Sequence, residues 1–407
     1  MEKIKKDKIK VLYVRHPDTY GGGVRAYSQI VIDMLEKYAS ATLDIVDLLS
    51  LIDIIQRDER VAKSIGIREL VNFLDQRGHL AGFDVVITDI GLLEHREFLF
   101  INYLKQIKPS LKSLVTIHDP DSCVVNLFPF FERYEKYRFV RGCRKVFNLL
   151  FSDFIERNFY RQDHNVITLT DRAKKSLQNK LRRLKCHDVK VMVIKNPHMI
   201  DVAPDFLATP NNGKLKIGYF GYISYSKGLD ILLSAIFELR SNGLKLTDRV
   251  EFVFAGGAIS NSDQAYFDSL RAFSRKNKLD DVVNFPGFLK SSEVPEFISG
   301  LDLLILPYRE TGSGSASGPL MWARTYGVPV LASKSRNFID EIHDMKDGLI
   351  FDNETPGDML KDKLNSYLTD GSIRKNLQVG ARNVSEDCSW VYSASRITEL
   401  ISTICEL

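Results

Sequence analysis

Long apolar runs are missing from this chain. Nowhere do the roughly 18 consecutive hydrophobic residues of a spanning helix occur, which excludes a transmembrane segment of that kind. Cysteine is scarce and poorly arranged. Cys123, Cys143, Cys186, Cys388 and Cys405 are scattered, odd in number and without metal-like spacing, so a reducing cytoplasm is the expected setting. Low-complexity tracts and long linkers are absent too, and 44% hydrophobic with 27% charged residues describes an ordinary folded protein. The opening M-E-K-I-K-K-D-K-I-K-V-L-Y-V runs from charged residues directly into a strand pattern, with too short an apolar part for a signal peptide. One absence is local. No carboxylate lies between Thr311 and Val330, where the chain reads G-S-G-S-A-S-G-P-L-M-W-A-R-T-Y-G-V-P.

That segment pairs its missing acids with glycines and serines that open a short helix at Gly318. Small residues let backbone N–H groups approach a ligand, and the first helical turn offers unpaired donors and a positive dipole end. An anion is the expected guest.

With 407 residues, the chain suits two domains of about 200 residues each. Net charge is only +4 but uneven: residues 132–195 carry 17 Lys and Arg against 7 Asp and Glu. Within this stretch F-E-R-Y-E-K-Y-R-F-V-R-G-C-R-K-V-F-N-L-L-F (131–151) interleaves basic and aromatic residues. Such a pattern fits either a solvated helix face over a core or docking on an anionic membrane surface or a diphosphate-bearing acceptor. Nucleic acid is not expected, because no binding module accompanies the charge.

Strand-like runs alternate with helix-like ones in both halves. The first half has strands at 9–14, 42–47, 84–89, 113–119, 165–170 and 189–195, with a helix at 24–38. The pattern then breaks into three prolines and an N-N-G turn between Asn196 and Lys214. It restarts with strands at 215–220, 249–255, 281–285, 302–307, 328–333 and 348–351, and helices follow near 356–368, 371–381 and 389–404. Short apolar strands separated by helices predict an α/β protein of two doubly wound, Rossmann-like parallel sheets, whose strand ends would face an interdomain cleft. The expected domains are 1–198, 199–383, and a C-terminal helix in 384–407 that packs back toward the first domain.

Three further groups carry chemistry. Gly21, Gly22 and Gly23 precede the first helix; they make either a flexible turn or a place where backbone approaches a bulky ligand, and they are not a G-x-G-x-x-G dinucleotide fingerprint. His118 and Asp119 sit at the carboxyl end of the 113–117 strand, where a ligand-facing histidine, a structural histidine and a D-P-D metal motif compete; too few oxygen ligands are at hand for the last. Lys227, in F-G-Y-I-S-Y-S-K-G-L-D (220–230), precedes the first helix of the second half and suits a diphosphate oxygen, with Gly221 and Gly228 letting the backbone close in; an ordinary surface lysine is the alternative.

In series, these segments, with V-F-A-G-G-A (253–258), V-V-N-F-P-G-F (282–288), D-L-L-I-L-P-Y-R (302–309), Y-G-V-P-V-L-A-S (326–333) and C-S-W-V-Y (388–392), resemble retaining glycosyltransferases of family four, which have the GT-B fold. The resemblance implies transfer of a hexose from a nucleotide diphosphate sugar, as co-substrate, to a glycan or polyprenyl-linked acceptor. It implies no metal and no cofactor, in the cytoplasm or peripherally at the inner membrane face. Carried over by position, His118 would contact the donor sugar and Lys227 the diphosphate. Gly21, Gly22, Gly23, Gly221, Ser317, Gly318 and Arg309 would line the donor and its phosphates, and Gly287 with Phe288 the nucleotide base. Tyr222 stands where the family usually has an arginine, and Gly314 and Trp322 where it has two glutamates; a minority branch with S-G at the helix start is nearer. Arg309 or Arg324 would supply the missing positive charge. The rival readings are a catalytically silent paralogue that binds nucleotide sugar or partners another transferase, and a nucleotide-sugar epimerase of the same fold.

Overall fold

The computed structural model describes residues 8–15, 23–48, 67–91, 96–121, 153–201, 213–310, 316–383 and 388–405. The chain divides into two compact units, one formed by 1–197 with 387–407 and the other by 198–386.

In the first unit, strands β1 (Ile9–Val14), β2 (Leu43–Asp47), β3 (Val85–Ile90), β4 (Lys112–Ile117), β5 (Asn165–Thr168) and β6 (Val191–Val193) form one sheet in the order β2-β1-β3-β4-β5-β6. Every pairing is parallel. Helices α1 (Gly23–Tyr38), α2 (Ile67–Gln76), α3 (Arg96–Ile107) and α4 (Asp171–Arg183) alternate with the strands, and α11 (Trp390–Ile404) returns from the far end of the chain to pack on α1. Because side chains alternate across a strand, Leu12 and Val14 of β1 and Val86 and Ile90 of β3 share one core with Val71, Leu74, Phe100, Ile101 and Leu104. Tyr13 and Ile87 on the opposite face are buried as well. Cover on both faces explains why these strands read as mostly apolar runs, broken by the exposed Lys10 in β1 and the buried Thr88 and Asp89 in β3.

The second unit holds β7 (Leu215–Phe220), β8 (Val250–Ala255), β9 (Val283–Gly287), β10 (Leu303–Leu306), β11 (Val330–Ser333) and β12 (Gly348–Phe351), again all parallel, in the order β12-β11-β10-β7-β8-β9. Its helices are α5 (Leu229–Ser241), α6 (Asn261–Lys276), α7 (Val294–Ser299), α8 (Gly318–Thr325), α9 (Pro356–Thr369) and α10 (Gly371–Arg382). Helix α5 buries Leu229, Leu232, Leu233, Ile236 and Leu239, the face expected from their spacing. Gly228 before it has φ 68°, and a Cβ there would lie 1.9 Å from the Pro307 carbonyl oxygen. Only glycine lets the turn after β7 lie against the exit of β10.

The expected pair of doubly wound parallel sheets is thus observed. Strand order reverses between β1 and β3 in the first unit and between β7 and β10 in the second. Loops leaving such paired strands diverge and open a crevice at the strands' carboxyl ends, where ligands of these sheets bind.

Candidate functional site

Beyond β7, the chain turns through Gly221 and Tyr222 into a single 3-10 turn, Tyr225–Lys227. The Lys227 ammonium sits 3.7 Å from the centroid of the Tyr308 ring, just past β10. This cation–π contact spans the strand reversal. Tyr308 is itself fixed: its ring packs against Phe338 at 5.0 Å, and its carbonyl accepts the Ser333 hydroxyl at 2.6 Å. Among the described residues no carboxylate forms an ion pair with Lys227. Its charge is uncommitted.

Helix α8 starts beside Gly221 of the same turn. Ser317 caps it, with its hydroxyl accepting the Leu320 N–H at 3.4 Å, and the first turn holds no acidic residue. A Cβ on Gly318 would meet nothing within 4 Å, whereas one on Gly221 would touch the Pro319 ring at 3.5 Å. Open space therefore lies at the helix start beside the Gly318 N–H, with the turn after β7 alongside. Such a helix end favours an anion.

The loops after β8 and β9 join the same cluster. Gly221 N–H donates to Ala255 O at 3.1 Å, Ile223 N–H to Gly257 O at 2.9 Å and Gly256 N–H to Gly287 O at 2.8 Å. Gly256 has φ 146°, and a Cβ on it would lie 1.8 Å from the Gly221 carbonyl oxygen, so this backbone contact requires glycine. Phe288 lies over Gly257, where a Cβ would come within 2.6 Å of the ring, and meets Tyr222 edge-on at 6.2 Å. At 59% exposure, its ring is available for stacking. The structure thus brings Gly221, Lys227, Gly287, Phe288, Ser317 and Gly318 to one end of one sheet.

The two arginines considered as replacement cations are each committed. Arg309 pairs with Asp230, Nη1 to Oδ1 at 2.9 Å and Nη2 to Oδ2 at 2.6 Å, while Nη1 also donates to Tyr225 O at 2.6 Å. Burial pushes the Asp230 carboxyl up, but hydrogen bonds from Arg309 and Tyr266 outweigh it and hold the group below the usual carboxylate range. Arg324 pairs with Glu341 Oε2 at 2.7 Å and donates to the Glu341 carbonyl.

In the first unit, His118 follows β4. Its N–H donates to Ile90 O at 2.9 Å, and its ring meets Tyr27 of α1 edge-on at 4.8 Å. Beneath Tyr27 lies a buried polar group that local sequence patterns do not reveal: Asp89 Oδ2 accepts the Tyr13 hydroxyl at 2.5 Å and the Ser28 hydroxyl at 2.6 Å. Burial pushes the Asp89 carboxyl above the usual range, against hydrogen bonds from Ser28, Tyr13 and Thr116. The neighbouring Asp119 Oδ1 accepts the Asp121 N–H at 3.2 Å, and Asp121 accepts the Ser176 hydroxyl at 2.6 Å. Among the described residues, no group of three or more His, Cys, Asp and Glu could hold a metal ion, and no helix is long and apolar enough to cross a membrane. Gly23 opens α1; Gly21, Gly22, Gly312–Ser315 and the basic-aromatic stretch 131–151 lie outside the described residues.

Residues 206–384 match the family model of glycosyl transferases group 1. A 2-deoxystreptamine glucosyltransferase of Streptomyces kanamyceticus is 26% identical over 185 residues, and a GDP-mannose-dependent alpha-(1-6)-phosphatidylinositol monomannoside mannosyltransferase of Mycobacterium tuberculosis is 24% identical over 180. These matches take in 44% and 43% of this chain, and 44% of each relative's length. In structure the chain resembles Anabaena HepE crystallised with UDP, with a TM-score of 0.66 at 16% identity, covering 97% of this chain and 100% of that one. The fold is therefore that of the GT-B glycosyltransferases.

Proposed function

We propose that this protein is a retaining, metal-independent glycosyltransferase that moves a hexose from a nucleotide diphosphate sugar to a hydroxyl of a glycan or lipid-linked acceptor. The observation that carries this reading is the uncommitted Lys227 ammonium on the turn after β7, with the acid-free, Ser317-capped start of α8 against Gly221 of the same turn, at the strand reversal of the unit that matches glycosyl transferases group 1. UDP in the HepE structure, a glucosyltransferase and a GDP-mannose-dependent enzyme among the relatives support a nucleotide-sugar donor. The mannosyltransferase supports a lipid-linked acceptor.

In the reaction, the bond between the sugar anomeric carbon and the diphosphate oxygen breaks, and the acceptor oxygen bonds to that carbon on the same face. The acceptor proton passes to the leaving diphosphate. Negative charge grows on the diphosphate as the bond breaks. Lys227, the Ser317 hydroxyl and the Gly318 N–H at the start of α8 are the groups assigned to stabilise it, so catalysis rests on leaving-group stabilisation and positioning. Phe288 is assigned to the base and His118 to the donor sugar. Transfer would take place in the cytoplasm, at the inner membrane face if the acceptor is lipid-linked.

The test is nucleotide release from uridine, guanosine and adenosine diphosphate sugars. Lys227→Ala is expected to lower turnover about 10- to 100-fold, the scale of one hydrogen bond to a charged group. Donor binding without turnover across a broad acceptor panel would favour the silent paralogue instead. Formation of an epimerised sugar nucleotide without acceptor would overturn both.

A further inference from the structure

We infer that Arg309 is a positioning residue that holds Lys227 in place, not a ligand of the donor phosphates. The inference rests on the assignment of Lys227 to the diphosphate. Three contacts from Arg309 reach the turn that carries Lys227: its N–H donates to Ser226 O at 2.9 Å, its Nη1 donates to Tyr225 O at 2.6 Å, and its guanidinium lies 3.8 Å from the Tyr225 ring centroid. A fourth, the two-pronged pair with Asp230, fixes the start of α5 on the other side of Lys227. Asp230 is anchored in turn, accepting the Tyr266 hydroxyl at 2.6 Å and donating its own N–H to that oxygen at 3.1 Å.

Consecutive residues at the exit of β10 therefore do two jobs. Tyr308 receives the Lys227 ammonium on its ring, and Arg309 clamps the main chain on both sides of Lys227. A planar guanidinium suits this clamp because it meets a carboxylate with two parallel bonds and stacks on an aromatic face at once. Paired with Asp230, it presents little net charge to an anion. The uncommitted charge of the site belongs to Lys227.

Calorimetric titrations with uridine, guanosine and adenosine diphosphates, and with the matching nucleosides, test the assignment on the full chain. Arg309→Ala is expected to weaken the diphosphate that binds wild type about tenfold, the scale of one charge-assisted contact, and to leave the weaker nucleoside unchanged. In a Lys227→Ala background the same substitution should cost nothing further, since a positioning residue acts only through what it positions. Asp230→Asn should weaken binding like Arg309→Ala. Arg309→Lys, which keeps the charge but not the fork, should also fail to rescue, and it serves if the alanine variant does not fold. Additive losses in the double variant, tighter binding in Asp230→Asn or full rescue by Arg309→Lys would each overturn the inference and make Arg309 a direct ligand. If Lys227→Ala leaves diphosphate affinity unchanged, or if no diphosphate binds, the assignment of Lys227 falls, and this inference with it.

Discussion

Gly228 offers a sharp test of how the second unit is held together. Its φ of 68° lies in the left-handed region, and an added Cβ would sit 1.9 Å from the Pro307 carbonyl oxygen. For alanine the backbone conformation alone costs about 1–2 kcal/mol. The overlap is with main chain at the exit of β10, so relief requires the turn after β7 to move, at a further cost of about 1–3 kcal/mol typical of overpacking. Gly228→Ala should thus destabilise the unit by about 2–5 kcal/mol, a fall in melting temperature of roughly 4–20 °C for a unit of this size. The chain has two tryptophans, Trp322 in the second unit and Trp390 in the first. In a Trp390→Phe background, fluorescence therefore reports the second unit alone. Gly357→Ala is the control. A Cβ there meets nothing within 4 Å in the first turn of α9, and the substitution should be neutral or stabilising by up to about 1 kcal/mol. A Gly228→Ala variant within about 0.5 kcal/mol of its parent would refute the reasoning.

Two buried groups couple stability to pH in opposite directions. Asp89 has a raised folded pKa, so its contribution is full below about pH 4 and is lost as pH rises through that raised value; Asp89→Asn should remove this loss in urea unfolding between pH 4 and 8, and an unaltered slope would contradict it. Burial, with a smaller effect of Lys105, holds the His164 imidazole down at about 3 from its ordinary 6.5. Its contribution is complete above the higher value and is lost as pH falls toward the lower, at up to about 1.4 kcal/mol per pH unit. His164→Gln should flatten that acid limb, and retention of the wild-type slope would argue against it. Phe288→Ala should leave stability within about 0.5 kcal/mol, because the ring is exposed, yet weaken nucleoside diphosphate binding by about 1–3 kcal/mol through lost stacking; calorimetry showing unchanged affinity would remove Phe288 from the site.

Local periodicity made much of the fold legible. The runs at 9–14, 215–220 and 348–351 coincide with β1, β7 and β12, because strands covered on both faces are mostly apolar. The charged helix α4, D-R-A-K-K-S-L-Q-N-K-L-R-R, buries only Ala173, Leu177 and Leu181, and so thin a stripe leaves little helical periodicity in the sequence. At the site, Lys227, Gly221 and Ser317 were legible because turn chemistry and helix starts leave local marks. Long-range pairs left none. Asp230 and Arg309 are 79 residues apart, and Tyr13 and Asp89 are 76 apart. Such pairs exist only once strand order is known, and each member alone reads as an ordinary surface charge or strand residue. The serine-glycine loop made an anion the expected guest, and nothing in the sequence marked Arg309 and Arg324 as engaged by Asp230 and Glu341.

The return of α11 to α1 has a consequence for synthesis. The first unit is not a continuous stretch of chain: its last helix is translated only after residues 198–386. At roughly 5–20 residues per second, the ribosome spends on the order of 10–40 s on that interval. During that time α1 has already emerged but lacks its covering helix. The second unit can therefore close before the first, reversing the usual order of folding along a nascent chain. Partially made chains would present the bare side of α1 to chaperones until α11 can cover it.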